Sequence, residues 1–426
     1  MKHNLGIIIL AAGKGKRMNS RLPKVLHKLC GKPMLSYSID TALSLRPGQI
    51  ILVVGDDKEK IIDYIKTDYK KEKIKVVQQK KLCGTADAVL SAKSMLSANI
   101  TDLLVLYGDQ PLLTKETVKN LLNTHYKNNS VLTLLTAEID DATGYGRVLR
   151  DKANNIIRIC EDLDLTWDNI ELKEVNAGSC VFKKKELLRV IKDIKPDNKK
   201  KEYYLTDVVG LFYRENKKIS SASASSSDEV LGVNSRSDLV DLEQILNQRT
   251  INKFLDNGVT VSSPQTTFIN HDVRIGKDTV IKPFVYIDSE VEIGKNCTIG
   301  PFCHIRGGSK IADNVIVGSF AELNRVYAGN NTRIKHFSYL GDIKLGNNVN
   351  VGAGVVTANF DGKNKNKTVV ADNAFIGSDT ILVAPVRVGK SAVTGAGSVV
   401  TKHKNVPDKA IAFGVPAKLY KKGKDE

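Results

Sequence analysis

The sequence predicts an α/β domain with a mainly parallel sheet, followed by a solenoid of short strands, and three observations predict it. Residues 1–230 carry apolar runs of strand length, IILVVG (50–55), LLVLYGD (103–109) and VLTLLTA (131–137), separated by polar, helix-capable stretches such as 115–127. Apolar runs without alternation mark strands buried on both faces, as in parallel sheets covered by helices. Residues 234–257 place Leu239, Leu242, Ile245, Leu246, Ile251, Phe254 and Leu255 at helical spacing, with Ser237 and Asp238 as candidate caps. Beyond them, Ile269, Ile275, Ile281, Ile287, Ile293, Ile299, Ile305, Ile311, Val317 and Leu323 fall at strict steps of six, often with Gly next. Period six fits short flat strands, each turning one aliphatic inward, with three six-residue faces closing one triangular coil.

The division this predicts is 1–233, a helical linker at 234–256, and 257–426. A length of 426 residues agrees with two or three domains. The small polar run SSASASSS (220–227) reads as a polar strand or loop rather than a linker. LGIIILAA (5–12), preceded by Lys2, has the look of a signal-peptide core, but GKGKR follows at once, so it reads as a buried first strand. No apolar run approaches the ~20 residues of a membrane helix. Of the six cysteines none form CxxC, which fits a reduced cytoplasmic chain without disulfide or structural metal. Lys+Arg exceed Asp+Glu by 64 to 47, a net charge of +17 that points to an anionic partner: nucleic acid, a membrane surface or phosphorylated small molecules. Aromatics are only 6%, and the lysine runs (Lys70–Lys71, Lys183–Lys185, Lys199–Lys201, Lys421–Lys422) lack interleaved aromatics, so they read as solvated surface and not as a nucleic-acid groove.

Directly after the first strand comes LAAGKGKRM (10–18). Gly13 and Gly15 let the backbone approach phosphates, and Arg17 adds a fixed charge. Met18 occupies the last glycine position of a dinucleotide fingerprint, and GK[ST] is missing, so neither that fingerprint nor a P-loop is present. Lys24, in LPKVL, is close enough in sequence to serve the same anion. YGDQPL (107–112) sets Asp109 at a strand end, where a carboxylate is placed to hold Mg²⁺ against phosphate oxygens. CGTADA (83–88) offers Gly84 and Thr85 to a base, while GYGRV (144–148) and VNAG (175–178) read as further turns. In the repeat, the six-residue register breaks between Leu323 and Leu340, with His336 inside the break, and again where NFDGKNKNK (359–367) intervenes. Insertions in a solenoid loop out and often bind.

LAAGKGxRM, LPKVL, YGDxPL, GYGR, EYYLTD (202–207) and GVNxR, with the hexapeptide repeat, resemble the bacterial bifunctional N-acetylglucosamine-1-phosphate uridylyltransferases / glucosamine-1-phosphate N-acetyltransferases over nearly the whole chain. The resemblance implies a Rossmann-like nucleotidyltransferase domain, a left-handed parallel β-helix, a homotrimer with acetyl sites completed by neighbouring subunits, and the substrates UTP and acetyl-CoA. It implies that Leu10, Ala11, Ala12, Gly13, Lys24, Tyr107 and Gly108 meet the nucleotide. Gln79, Gly84 and Thr85 would read the uracil, and Gly146, Glu161 and Asn176 would hold the sugar. Asp109 and Asn234 would bind Mg²⁺, and Arg17 and Lys24 would steady the phosphates. Leu163 stands where the family commonly has Lys.

For the second half, an amine attacking a thioester needs a general base near neutral pH. By resemblance His336, in HFSYLGD, is that base. Arg306, Asn324, Tyr339 and Asn350 would bind the acetyl acceptor, and Ala353, Asn359, Phe360, Ser378 and Ala396 would line acetyl-CoA. Three departures stand out: Asn324 replaces a Lys, Phe360 a Tyr, and Gly414 an Arg, the last allowing a two-residue insertion around 402–407. Each lost charge-assisted contact costs ~1.5–3 kcal/mol, and Arg325, Lys335 and Lys418 are candidate replacements. The alternative is a uridylyltransferase whose repeat domain only oligomerises or regulates the chain.

Overall fold

The computed structural model describes residues 4–167 and 169–420 and divides into two compact units, 1–243 and 244–426. Lys2 and the Lys421–Lys422 pair lie outside the described residues. No helix among the described residues is long and apolar enough to cross a membrane.

The first unit is built on a nine-stranded sheet. Its main order is Ile219–Ser223, Leu132–Glu138, Glu174–Lys183, Asp102–Tyr107, Leu5–Ala11, Gln49–Val54 and Ile74–Gln78. The run that resembles a signal core is thus the strand Leu5–Ala11, paired in parallel on both sides. Its residues alternate between two cores: Ile8 and Leu10 enter one, Ile7, Ile9 and Ala11 the other. Val53 with Val54, and Val105 with Leu106, divide the same way. Two covered faces explain why these strands read as continuous apolar runs. The helix Lys115–Asn128 covers one face with Val118, Leu121, Leu122 and His125; Thr114 caps its start, accepting from the Thr117 N–H at 3.2 Å.

The strand Glu174–Lys183 is antiparallel to both neighbours, so the sheet is mixed. VNAG (175–178), expected as a turn, lies inside this strand; a bulge between Asn176 and Cys180 absorbs the irregularity. SSASASSS divides into the edge strand Ile219–Ser223 and a short turn of 3-10 helix, Ser227–Val230.

The connecting helix runs Arg236–Asp256. In the second unit its Ile251 and Phe254 join the solenoid core, and Asn247 Nδ2 donates to the Thr267 carbonyl at 2.8 Å. Three sheets of 10, 8 and 7 strands follow, parallel throughout except for a final antiparallel pair. Ile281, Ile287, Ile299, Ile305, Val317 and Leu323 are fully buried. Each pairs with the residue one coil on, as Ile287 does with Ile305 and Ile305 with Leu323. Corners are tight. A Cβ on Gly318 would lie 1.7 Å from the Lys335 carbonyl oxygen, so only glycine fits. At another corner Asn331, Asn348 and Asn373 take the left-handed conformation, and their side-chain amides bond one to the next at 3.1 Å.

The expected register break at 323–340 is not an insertion. Leu323 pairs Leu340, and Tyr339 pairs Val356, so two coils are one residue short and the stack continues without a loop. The looped-out segment is 359–367, where Thr357 pairs Leu382. Residues 402–407 keep the ordinary coil length: Val406 bridges Val388 and Ala412 pairs Thr394 in register.

Candidate functional site

A cavity of about 720 Å³ opens at the carboxyl ends of Leu5–Ala11 and Asp102–Tyr107, where parallel sheets leave room for ligands. Leu10, Ala11, Ala12, Gly13, Lys24, Tyr107 and Asp109 line it. Gln79, Gly84, Thr85, Gly146, Glu161 and Asn176 line it as well.

Three polar groups converge beneath the Gly-rich turn. Lys24 Nζ donates to Asp109 Oδ2 at 2.5 Å and to Asn234 Oδ1 at 3.4 Å. Lys24 is 9% exposed, so this charge is held largely out of water. Asn234 does not itself line the cavity; it reaches the site through Lys24. Gly108 also stays outside, its N–H donating to the Leu10 carbonyl at 2.9 Å. Arg17 is exposed and lies off the cavity, while Lys14 and Lys16 line it. The reason is local: Gly15, at φ 56, starts a single 3-10 turn over Lys16–Met18 that sends neighbouring side chains in different directions.

Around Gly84 the loop is shaped by close approach. Gly84 sits at φ 117, and a Cβ there would meet the Tyr203 carbonyl at 2.5 Å. Gln79 Nε2 donates to the Gly84 carbonyl at 3.0 Å and to Asp87 Oδ2 at 2.8 Å, which fixes its amide. Thr206 Oγ1 donates to Glu161 Oε1 at 2.8 Å, and the N–H of its neighbour Leu205 donates to Thr85 Oγ1 at 2.9 Å. Burial pushes the Glu161 carboxyl above its ordinary range, against the Thr206 bond and the charge of Lys200. Asp207 is pushed up to about 6 by burial and by the charges of Glu161 and Asp164. Lys200, Tyr204 and Thr206 line the cavity too. Tyr204 and Thr206 belong to the motif EYYLTD, whereas Lys200 lies in the basic run 199–201, which the charge pattern alone assigns to solvated surface.

The second unit arranges its candidates in columns. Ile334, Val351, Ile376, Thr394 and Ala412 pair in succession through five coils. Two residues past each stand His336, Ala353, Ser378, Ala396 and Gly414, so all five share one corner of the prism. His336 is exposed there. On the neighbouring face Arg306 pairs Asn324 in register, and Arg306 Nη1 is 2.9 Å from Glu322 Oε1. Asn324 is buried and accepts from Arg325 Nη1 at 2.7 Å. Arg325 also grips Asp342 in bidentate fashion at 2.6 and 2.8 Å, so its charge is already paired rather than free to replace the missing lysine. Asp342 accepts in addition from Asn359 Nδ2 at 2.6 Å. Tyr339 OH would lie 2.9 Å from a Cβ on Gly341, beside Asn359. Asn350 stands one residue before Val351 on its strand, and Phe360, in the 359–367 loop, is exposed.

Comparison with known proteins agrees with this division of labour. Residues 7–202 match the MobA-like NTP transferase domain, and residues 290–325 match the bacterial transferase hexapeptide (six repeats). The bifunctional protein GlmU of Fervidobacterium nodosum is 39% identical, covering 98% of this chain and 96% of that one. That of Thermosipho africanus is 41% identical, covering 96% and 94%, and that of Streptococcus agalactiae is 37% identical, covering 98% and 96%. The chain belongs to the GlmU family: it is a bifunctional enzyme, uridylyltransferase and acetyltransferase in one polypeptide.

Proposed function

We propose that residues 1–233 transfer uridylyl from UTP to N-acetylglucosamine 1-phosphate, releasing pyrophosphate, and that residues 257–426 first acetylate glucosamine 1-phosphate from acetyl-CoA, with 234–256 as linker. The observation that carries the first half is the Lys24–Asp109–Asn234 constellation under the Gly-rich turn. The sugar phosphate is an anionic nucleophile at neutral pH and needs no strong base. It attacks the α-phosphorus in line, so the protein supplies alignment and countercharge. Lys24 meets the reacting phosphate, Lys14 and Lys16 the phosphate tail, and Arg17 adds charge from the rim. Gln79, Gly84 and Thr85 hold the base; Gly146, Glu161 and Asn176 hold the sugar.

Asp109 and Asn234 present two hard oxygens to one cationic group, a donor set that suits Mg²⁺. No cluster of three carboxylates, His or Cys offers a metal cage among the described residues, so the ion would share these two side chains with phosphate oxygens and water. Bound there, it would neutralise charge developing on the phosphates.

In the second unit His336 takes the proton from the attacking amine, which must be a free base to reach the thioester. Arg306, Asn324, Tyr339 and Asn350 hold the acceptor. Ala353, Asn359, Phe360, Ser378 and Ala396 line the coenzyme. Exposure of His336 on a corner is the reason to place a second wall there from another copy, and hence a homotrimer, working in the cytoplasm. The test is to assay purified protein for pyrophosphate release from UTP with each sugar phosphate, and for acetyl-CoA consumption with glucosamine 1-phosphate. Both activities are expected, with pyrophosphate release fastest on the acetylated sugar. Light scattering at micromolar concentration should give three times 46.7 kDa; a monomer overturns the shared site.

A further inference from the structure

Gln110 fills the open place of YGDxPL and lines the cavity. Its Nε2 donates to the Ala177 carbonyl at 2.8 Å, and the Val230 carbonyl lies 3.4 Å from the same nitrogen. A carbonyl oxygen can only accept, so these two partners settle which way the amide points: nitrogen toward them, Oε1 away. Among the described residues nothing hydrogen-bonds to Oε1. The turn beneath is tied down as well. The Val233 N–H donates to the Asp109 carbonyl at 3.0 Å, and a Cβ added to Gly232 would stand 3.9 Å from Gln110 Cγ.

Ala177 adjoins Asn176, whose amide is fixed in the opposite sense. Asn176 Oδ1 accepts from the Gly178 N–H at 3.2 Å, at the bulge where Gly178 takes φ 83. A backbone N–H can only donate, so the group Asn176 keeps for a ligand is its Nδ2. Both side chains line the cavity, and one backbone bond separates Asn176 from the residue that anchors Gln110. An acceptor oxygen and a donor nitrogen are thus held close together. A carboxylate would be repelled by Oε1, and an ammonium by Nδ2. A hydroxyl or a secondary amide both donates and accepts, and satisfies the two.

We propose that Gln110 binds the acceptor sugar and helps to select it: its Oε1 accepts a hydrogen bond from an uncharged donor, a ring hydroxyl or the acetamido N–H. This rests on the uridylyltransferase reading above and adds a neutral contact to it. The Ala177 and Val230 carbonyls act as the clamp that keeps the oxygen aimed.

The test is uridylyl transfer from UTP by wild type, Gln110→Met and Gln110→Lys. The acceptors are N-acetylglucosamine 1-phosphate and analogues that each lack one donor: deoxy sugars for the ring hydroxyls, the acetate ester for the acetamido N–H. Methionine keeps the shape and removes both donor and acceptor. Lysine restores a donor for the Ala177 carbonyl but brings no acceptor, so it separates sugar recognition from support of the strand. Its added charge weighs equally on every analogue, since all carry the same phosphate. In wild type, one analogue should have a kcat/KM about tenfold below that of the parent sugar. In both variants the parent should fall by about the same factor, and that analogue's deficit should shrink to within twofold. The analogue so affected identifies the group that Oε1 meets. Deficits in the variants that match those of wild type overturn the proposal and leave the reading intact, as does the absence of any deficit in wild type. A loss beyond about a thousandfold in both variants also overturns it, because one neutral hydrogen bond is worth far less. An inactive wild type with UTP and the sugar phosphate overturns the reading and the proposal together.

Discussion

In the first unit the candidate residues come from segments as far apart as Leu10 and Asn176 and converge on one cavity; in the second they repeat at the same place in successive coils. Convergence needs irregular backbone. The left-handed Gly15, the Gly84 approach to Tyr203 and the bulge after Asn176 all lie beside the cavity. A solenoid has no such freedom: strand spacing sets neighbouring positions ~4.8 Å apart, so a column of side chains makes a wall and not a pocket. Depth there must come from a loop such as 359–367 or from another copy of the chain.

Several substitutions sharpen this contrast. Lys24→Ala removes the buried cation and should lower the kcat of pyrophosphate release by roughly 10²–10³-fold, while acetyl-CoA consumption stays at the wild-type rate. His336→Ala should lower acetyl transfer by about 10²-fold or more and leave pyrophosphate release untouched; equal loss of both activities would break the separation of the two sites. Gly318→Ala forces a Cβ onto the Lys335 carbonyl and should destabilise the solenoid by about 2–4 kcal/mol, seen as a lowered calorimetric transition. Arg325→Ala should cost about 1 kcal/mol, since the guanidinium is partly exposed. Its signature is acid sensitivity. The hydrogen bond from Arg325 holds the Asp342 carboxyl below its ordinary value in the folded chain. That stability is present above the unfolded value and is lost as pH falls through the folded one, so the gap between variant and wild type should start to close below about pH 4 and vanish below the folded value.

Residue spacing foretells the sheet strands, the helix after Thr114 and the connecting helix, because burial on two faces or on one leaves different periods in the chain. The direction of Glu174–Lys183 leaves no such trace: an inward-facing residue is apolar whether its strand runs up or down. Period six locates the coils, yet the step of five at Leu323–Ala328 looks like an interruption until pairing shows a shortened corner. Lys24 and Asp109 stand in motifs at a turn and at a strand end, whereas Glu161 has no motif of its own and enters only through the family resemblance. That Arg17 and Gly108 lie off the cavity while Lys200 lines it leaves no trace in the sequence, since which neighbour in a basic or Gly-rich turn faces the cavity depends on one backbone angle or on an anchor such as Asn198. Arg325 looked like a spare cation because its partner Asp342 is a full coil away in sequence.

The ladder of amides from Asn331 through Asn348 to Asn373 has an evolutionary corollary. Each coil offers the next the same parallel pairing edge, and three in succession share the corner amide, even where 25 residues separate two of the asparagines. A gene duplication or deletion of one whole coil would therefore rejoin matching surfaces and fold, whereas a change of a few residues inside a strand would shift every inward aliphatic behind it. Lineages descending from such a chain should differ in solenoid length by whole turns, with odd-length changes confined to corners and to loops like 359–367.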